Sequence, residues 1–426
     1  MHWRDLFKIP PALKHRKFFL LWVGLLVSIA GTQMQAWAIY WHLRTLSDQP
    51  LAVSGVGLAR FIPIILFALI GGLVADTFNR RKVLFVTQTA MLGSALALGL
   101  LTYFGVTTIW SIYIISAING IAVSFDSPSR QSLISNIVPR KDLQSAFGLQ
   151  SIASNTGAII GPALSGLVIA TLGQEWTYWI NAISFLAVIA ALILMGKVER
   201  ENAVPEIRQQ PSAFKKLDFS GIPVGIRFIL NQPIILSSMI LDFFATFFSS
   251  ANSLLPFVAT DILKVGAIGY GWLSAAQSIG SVAVALYLAQ KTRLARQGRL
   301  LLSGITVFGI ATIVFGLSRS FVLTFASLVL VGAGDAISTV LRNTIRQLQT
   351  PDELRGRMIS INQIFFAGGP RLGEVEAGMV AQAFGTPFAI ISGGVGCLAA
   401  VAVVAFKWPQ LRRYNGDEPV LAAPAG

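Results

Sequence analysis

Twelve apolar stretches, each long enough to cross a bilayer, take up almost all of this 426-residue chain. About 20 apolar residues make one spanning helix. The stretches cover roughly 18–41, 54–76, 83–104, 109–131, 143–172 and 176–196, then roughly 234–258, 269–290, 300–317, 321–343, 357–383 and 387–406. This predicts an all-α membrane protein of twelve transmembrane helices. No soluble domain is left over, so the work is expected inside the membrane. The first stretch is too long for a cleaved signal peptide, and no small-residue cleavage site follows it. Only 12% of residues are charged, against about 25% in a soluble domain.

The formal net charge of +14 raises the question of an anionic partner such as nucleic acid. The distribution of charge answers it. With the N-terminus placed in the cytoplasm, 28 of the 33 Lys and Arg residues fall in cytoplasmic segments. These segments are Arg4–Lys17, Arg80–Lys82, Arg130–Lys141, Lys197–Arg227, Lys291–Arg299, Arg342–Arg357 and Lys407–Arg413. Arg44, Lys264 and Arg319 fall outside, and Arg60 and Arg371 inside spans. Positive charge gathered on one side orients a membrane protein, here with both termini cytoplasmic. The basic balance reflects topology, with the lipid bilayer as partner and nucleic acid excluded.

The spans form two halves. Arg130 to Pro139 aligns with Arg342 to Pro351 at an offset of 212 (342 − 130 and 351 − 139), and Gly55/Gly57 with Gly269/Gly271 at 214 (269 − 55). Each fifth span holds a Gly-Pro, at Gly161-Pro162 and Gly369-Pro370. The expected organisation is a six-helix bundle over 1–196, a cytoplasmic linker over 197–230, a second bundle over 231–406 and a tail over 407–426. Within the linker, Phe219–Leu230 has the mixed character of an interfacial helix. Parallel repeats of this kind place a substrate site between halves near the bilayer midplane.

The loop after the second span carries Gly72, Asp76, Asn79, Arg80, Arg81 and Lys82. Gly72 would let a neighbouring helix approach. Asp76 could accept N–H groups at a helix end, and Asn79 would tolerate a left-handed turn. This pattern resembles motif A of the major facilitator superfamily, with Asn79 where that family prefers Gly and Thr77 in place of a basic residue. The fifth span, with Gly157, Gly161, Pro162 and Gly166, resembles motif C of exporters in the same superfamily. The glycines also make a packing face, and the proline permits a bend. Ser116 stands where the superfamily's fourth-span Arg is expected. The segment from Phe125 to Leu143 is similar to the branch of enterobactin exporters and macrolide efflux proteins. In it, Asp126 and Arg130 are spaced to pair at i, i+4.

Charges within spans cost roughly 2.5–3.5 kcal/mol each at the helix centre, so they demand partners or a cavity. The candidates are Arg60, Asp242, Asp335, Arg371, Glu374 and Glu376. Glu374 and Glu376 point about 200° apart on a helix, so one is expected to pair with Arg60 and the other to carry a proton. Asp242 is a further candidate, in a span made polar by Asn252 and neighbouring serines. Asp335 is a proton-coupling candidate as well, with a structural role, partnered by Arg342 or Arg346, as the favoured reading. Gln33 and Gln35 in the first span, with Asn252, are candidate pocket residues.

The resemblance implies a secondary active transporter. It would export a small amphipathic molecule such as a drug, macrolide or siderophore against protons, as a monomer in the bacterial inner membrane. An importer of the same fold, or a non-transporting receptor or enzyme, is the alternative. No phosphate-binding loop points to ATP as fuel. His2, His15 and His42 lack metal spacing, and no nucleophile motif, cofactor or catalytic residue is expected.

Overall fold

The computed structural model describes residues 10–196, 221–291 and 295–416, apart from the side chains of Leu69, Asp76, 221–225 and several positions within 352–367. All regular structure among the described residues is helical, as the apolar stretches dictate. The first six long helices are α1 (Arg16–Leu46), α2 (Pro50–Thr77), α3 (Arg80–Tyr103), α4 (Ile109–Ile137), α5 (Leu143–Thr171) and α6 (Gln174–Leu194). Next come α7 (Gly221–Asn231), α8 (Pro233–Phe248), a short turn α9 (Leu255–Phe257) and α10 (Gly266–Ala289). The chain continues through α11 (Gln297–Leu317), α12 (Phe321–Leu348), α13 (Asp352–Phe384), α14 (Thr386–Lys407) and α15 (Pro409–Arg413).

Eleven helical segments among the described residues are long and apolar enough to cross a membrane. The sequence expectation is twelve. The remaining span, 357–383, lies in α13, which has 33 residues, about 50 Å at 1.5 Å per residue, but is not among the eleven. Large apolar side chains such as Trp110, Val322 and Phe406 are exposed, which suits helices surrounded by lipid.

The helices gather into two compact units. Among the described residues, the first holds the chain up to His42 and from Ala59 to the end of α6. The second holds Leu43–Leu58 and everything from α7 onward. Within the first unit, α3 packs on both α4 and α6; within the second, α11 packs on both α12 and α14. The pairing pattern therefore repeats. Two glycine pairs repeat with it, both at an offset of 212 (332 − 120 and 385 − 173). A Cβ on Gly120 would collide with the Arg60 carbonyl, and one on Gly332 with the Gln277 carbonyl. Gly173 and Gly385 each start a sixth-span helix at positive φ, +106° and +89°, a conformation that side chains resist.

Several helices run beyond the expected ends. Arg130 lies inside α4, and Arg342 and Arg346 lie inside α12, so these three are not loop residues as charge counting suggests. The seventh span differs too. Instead of one helix over 234–258, α8 stops at Phe248 and the chain resumes as a 3₁₀ turn at Asn252–Leu254, then α9, then a π turn at Val258–Ile262. Local chemistry accounts for the break. The Thr246 hydroxyl donates to the Asp242 carbonyl at 2.7 Å and the Ser250 hydroxyl to the Thr246 carbonyl at 2.5 Å, bonds that bend helices. Pro256 then supplies no N–H. The expected interfacial helix falls partly on α7. Its Phe228 and Ile229 are buried with Ile235, Met239, Leu354 and Met358, while Ile226 and Leu230 stay exposed.

Candidate functional site

In the first unit, α1, α3, α4 and α6 surround a cavity of about 200 Å³, with Arg60 of α2 at its wall. Polar side chains dominate one side of it: Thr32, Gln33 and Gln35 from α1, Asn119 from α4 and Asn181 from α6. Gln35 is buried and accepts a 2.6 Å bond from the Asn181 amide. Gln33 is braced at its Cβ, because Gly161 of α5 packs where a side chain would meet it. Gly157 gives α5 the same close approach to Ile29 and Ala30. The motif C glycines thus set the position of α1, and Gly166 and Pro162 are buried along the same helix.

Asp126 also lines the cavity. It is buried in α4 and accepts from Gln88 Nε2 at 2.7 Å and Thr87 Oγ1 at 3.2 Å, both on α3. Arg130 Nη2 lies 3.4 Å from its second oxygen, one turn along α4. Asn119, Gln88 and Asn181 are absent from the sequence reading. They sit on three helices, each an ordinary polar residue within an apolar run, so nothing in one dimension groups them.

Asn252 does not share this cavity. It lies in the second unit and accepts from Gln277 Nε2 at 3.0 Å. Beside it, the hydroxyls of Ser253 and Ser54 are 2.8 Å apart.

The second unit holds a buried charge cluster. Asp242 of α8, only 1% exposed, faces two arginines of α12: Arg342 Nη1 at 2.9 Å and Arg346 Nη2 at 3.1 Å. The two arginines are held very differently. Arg346 also donates to the Ser238 hydroxyl at 3.1 Å, the Ser238 carbonyl at 2.8 Å and Asn362 Oδ1 at 2.5 Å. Among the described residues, Arg342 donates only to Thr339 Oγ1, at 3.0 Å. Its contact with Asp242 is not aligned as a hydrogen bond, and its Nε has no partner among the described residues. Asp335 lies 3.9 Å away on the other side of Arg342, with its side chain 46% exposed. Asp335 thus meets Arg342, which the sequence had named as a partner. That Arg342 and Arg346 chiefly serve Asp242 was not readable, because the carboxylate sits on a helix 104 residues before Arg346.

Of the span-eleven charges, Glu374 is 2% exposed and its carboxylate lies 3.1 Å from Arg371 Nη1. Gly57 leaves room for that carboxylate: a Cβ there would collide with Oε2. Glu376 is half-buried. The two glutamates do differ in environment, as their angular separation requires.

Motif A differs in detail from its expected roles. A Cβ on Gly72 would meet open space, whereas one on Gly71 would collide with the Ser124 carbonyl of α4. Gly71, not Gly72, permits the close approach. Asn79 is not left-handed: at φ −67° it caps α3, its side chain accepting from the N–H groups of Arg81 and Lys82. Arg80 Nε donates to the Ala75 carbonyl at 3.1 Å and Arg81 Nε to the Leu192 carbonyl at 2.7 Å, so both cations close helix C-termini. The Asp76 side chain lies outside the described residues.

Among the described residues, no group of His, Cys, Asp and Glu is placed to hold a metal ion. The family model for transmembrane secretion effectors matches residues 10–419. The chain is 26% identical over 411 residues to the multidrug efflux pump Tap of Mycolicibacterium fortuitum, covering 94% of this chain and 98% of that protein. It is 24% identical over 417 residues to the enterobactin exporter EntS of Escherichia coli O157:H7 (strain EC4115 / EHEC), covering 97% and 96%. By fold it is similar to a bacterial homolog of the human lysosomal transporter Spinster in an inward-facing, occupied conformation. There the TM-score is 0.71 at 13% identity, covering 93% of this chain and 97% of that one. A POT family transporter in complex with 5-aminolevulinic acid gives 0.70 at 14% identity, covering 95% and 97%.

Proposed function

The chain belongs to the transmembrane secretion effector family of major facilitator transporters, not to an enzyme family, and on that premise we propose that it exports a small amphipathic molecule in exchange for protons. The mechanism proposed is alternating access, with both termini in the cytoplasm of a bacterial inner membrane. The efflux activities named for the relatives support the direction. The observation that carries the coupling is the arrangement of Arg342 between two carboxylates, 2.9 Å from Asp242 and 3.9 Å from Asp335.

A proton bound by Asp242 removes the charge that holds Arg342. Arg346 keeps its bonds to Ser238 and Asn362 and stays in place. Arg342, without such anchors, turns to Asp335. Release of the proton reverses the exchange. A shift of one buried cation between two helices gives the bistable element that a coupled transporter needs. Glu376, half-buried and without an ion pair among the described residues, is the second proton candidate, and Glu374 the third.

The test uses everted vesicles, a panel of amphipathic compounds and an imposed proton gradient. Wild type is expected to accumulate at least one compound in a gradient-dependent way. Asp242→Asn is expected to abolish that dependence. Unchanged gradient dependence in Asp242→Asn, Glu374→Gln and Glu376→Gln alike refutes carboxylate coupling, and no flux of any compound refutes transport.

A further inference from the structure

Past α14 the chain folds back onto the second unit. Only Trp408 separates α14 from α15 (Pro409–Arg413). Leu411 and Tyr414 are 0% and 1% exposed and join the core cluster of Leu301, Ile305, Ile345 and Val404. The Gly298 N–H of α11 donates to the Tyr414 carbonyl at 3.0 Å, and Gln349 Nε2 of α12 donates to the Tyr414 hydroxyl at 3.4 Å. The crossing needs a glycine on α11, because a Cβ on Gly298 would collide with the Leu411 carbonyl. Burial of Leu411 and Tyr414 fixes the two residues between them, Arg412 and Arg413, which stay exposed.

Those two arginines belong to a wider basic surface. Arg296 and Arg299 at the start of α11 and Lys407 at the end of α14 are exposed as well, and the contact of Gly298 with the tail puts all five at one end of the bundle. Residues 295–299 and 406–416 hold these five cations and no carboxylate. None of the five is in an ion pair among the described residues. Two apolar stripes end at them. On α11 the exposed side chains of Val307 and Ile310 lead to Arg299, and on α14 those of Val395, Val403 and Phe406 lead to Lys407. Steps of three or four residues keep each stripe on one helix face. The two helices pack on each other. Lys407 Nζ lies 5.1 Å from the centroid of the Trp408 ring, a residue type that favours the membrane–water boundary.

Positive charge that serves only to orient a membrane protein works by its number on one side, whatever its exact placement. Here the placement is fixed by a buried anchor, and the cations cap two lipid-facing stripes. That combination complements a molecule with an anionic head and apolar chains. We propose that α11, α14 and α15 form a binding site for an anionic phospholipid, with its phosphate on Arg299, Arg412 and Arg413 and its acyl chains along the two stripes. The planar fork of a guanidinium matches phosphate oxygens in pairs. A soluble phosphate compound would use the cations and leave the stripes without an occupant. The site is separate from the charge cluster and from the cavity of the first unit, and it stands whether or not the export reading does.

Native mass spectrometry of the full chain in detergent micelles tests it by counting bound lipid. Phosphatidylglycerol and phosphatidylcholine with the same acyl chains differ in charge. Wild type is expected to hold phosphatidylglycerol at least about tenfold more tightly. Each cation at an anionic lipid surface is worth about fivefold in binding, so the triple variant Arg299→Gln, Arg412→Gln, Arg413→Gln is expected to weaken phosphatidylglycerol binding about 100-fold and leave phosphatidylcholine unchanged. The pair Arg140→Gln, Lys141→Gln removes two exposed cations of the first unit and is expected to bind phosphatidylglycerol as wild type does. Where the triple variant fails to fold, as read by size exclusion, Arg412→Gln and Arg413→Gln are measured singly, with about fivefold expected for each. Glycerol 3-phosphate, a head phosphate without chains, is expected not to displace the lipid at equal concentration. Equal affinity for the two lipids in wild type overturns the inference. So does phosphatidylglycerol binding that is unmoved in the folded arginine variants, or that falls as far in the first-unit pair. Displacement by glycerol 3-phosphate overturns it in favour of a soluble phosphate ligand. Each of these results leaves export standing.

Discussion

Neutralising Asp242 removes the carboxylate from a cluster in which two cations and two carboxylates balance. Asp242→Asn leaves Arg342 with Asp335 at 3.9 Å, and leaves Arg346 with only the neutral oxygens of Ser238 and Asn362. Both guanidiniums are about 2% exposed. Removing one partner of a buried ion pair costs about 3–5 kcal/mol, because a desolvated charge stays behind. Arg346→Gln makes the opposite error, stripping Asp242 of its better-aligned partner, and is expected near about 3 kcal/mol. The double variant restores the balance, with Arg342 facing Asp335. Its remaining cost is the lost bonds to Ser238 and Asn362, about 0.5–1.5 kcal/mol each. Unfolding in mixed micelles, followed by tryptophan fluorescence, measures all three. The double variant is expected to be roughly 3 kcal/mol less damaged than the sum of the singles, at the upper end for contacting residues. Additivity within about 0.5 kcal/mol refutes the claim that these charges share one cluster.

Gly71→Ala is expected to lower the folded yield and melting temperature, because its methyl meets the Ser124 backbone, while Gly72→Ala stays close to wild type. Equal behaviour of the two, read by fluorescence-detected size exclusion, contradicts the α2–α4 packing. Arg44 pairs with Asp48 at 2.5 Å and Asp261 at 2.9 Å and covers the Phe257 ring. Both carboxylates are well exposed, so Arg44→Gln is expected to cost no more than about 1 kcal/mol, and the difference from wild type is expected to shrink at high salt.

Spans and halves are legible in the sequence because burial in lipid imposes a one-dimensional rule on long apolar runs. The repeat is more legible than Gly-Pro and Arg matches suggest. Gly120/Gly332 and Gly173/Gly385 follow the same 212-residue offset and now have structural reasons, a backbone crossing and a positive-φ helix start. Asn79 was readable too, as an N-cap residue ahead of a helix. Other features are three-dimensional. Gly71 and Gly72 differ by 100° around a helix, and only the neighbour's position shows which one is crossed. Arg342 and Arg346 end an amphipathic helix in a basic stretch, which in sequence looks like a cytoplasmic loop. Their carboxylate lies on α8, and sequence spacing carries no information about it. The break after Phe248 lay in the hydroxyls of Thr246 and Ser250 and in Pro256, each unremarkable alone.

The corner at Leu43–Leu58 belongs to the second unit, and that has a cost in time. Its bonds reach Ser253, 199 residues later, and Asp261, 217 residues after Arg44. At 5–20 residues per second of synthesis, Ser54 waits about 10–40 s for its partner to leave the ribosome. Throughout that interval the first hairpin is in the membrane with its corner unfinished. Folding of this chain thus has a built-in delay at the start of its second helix.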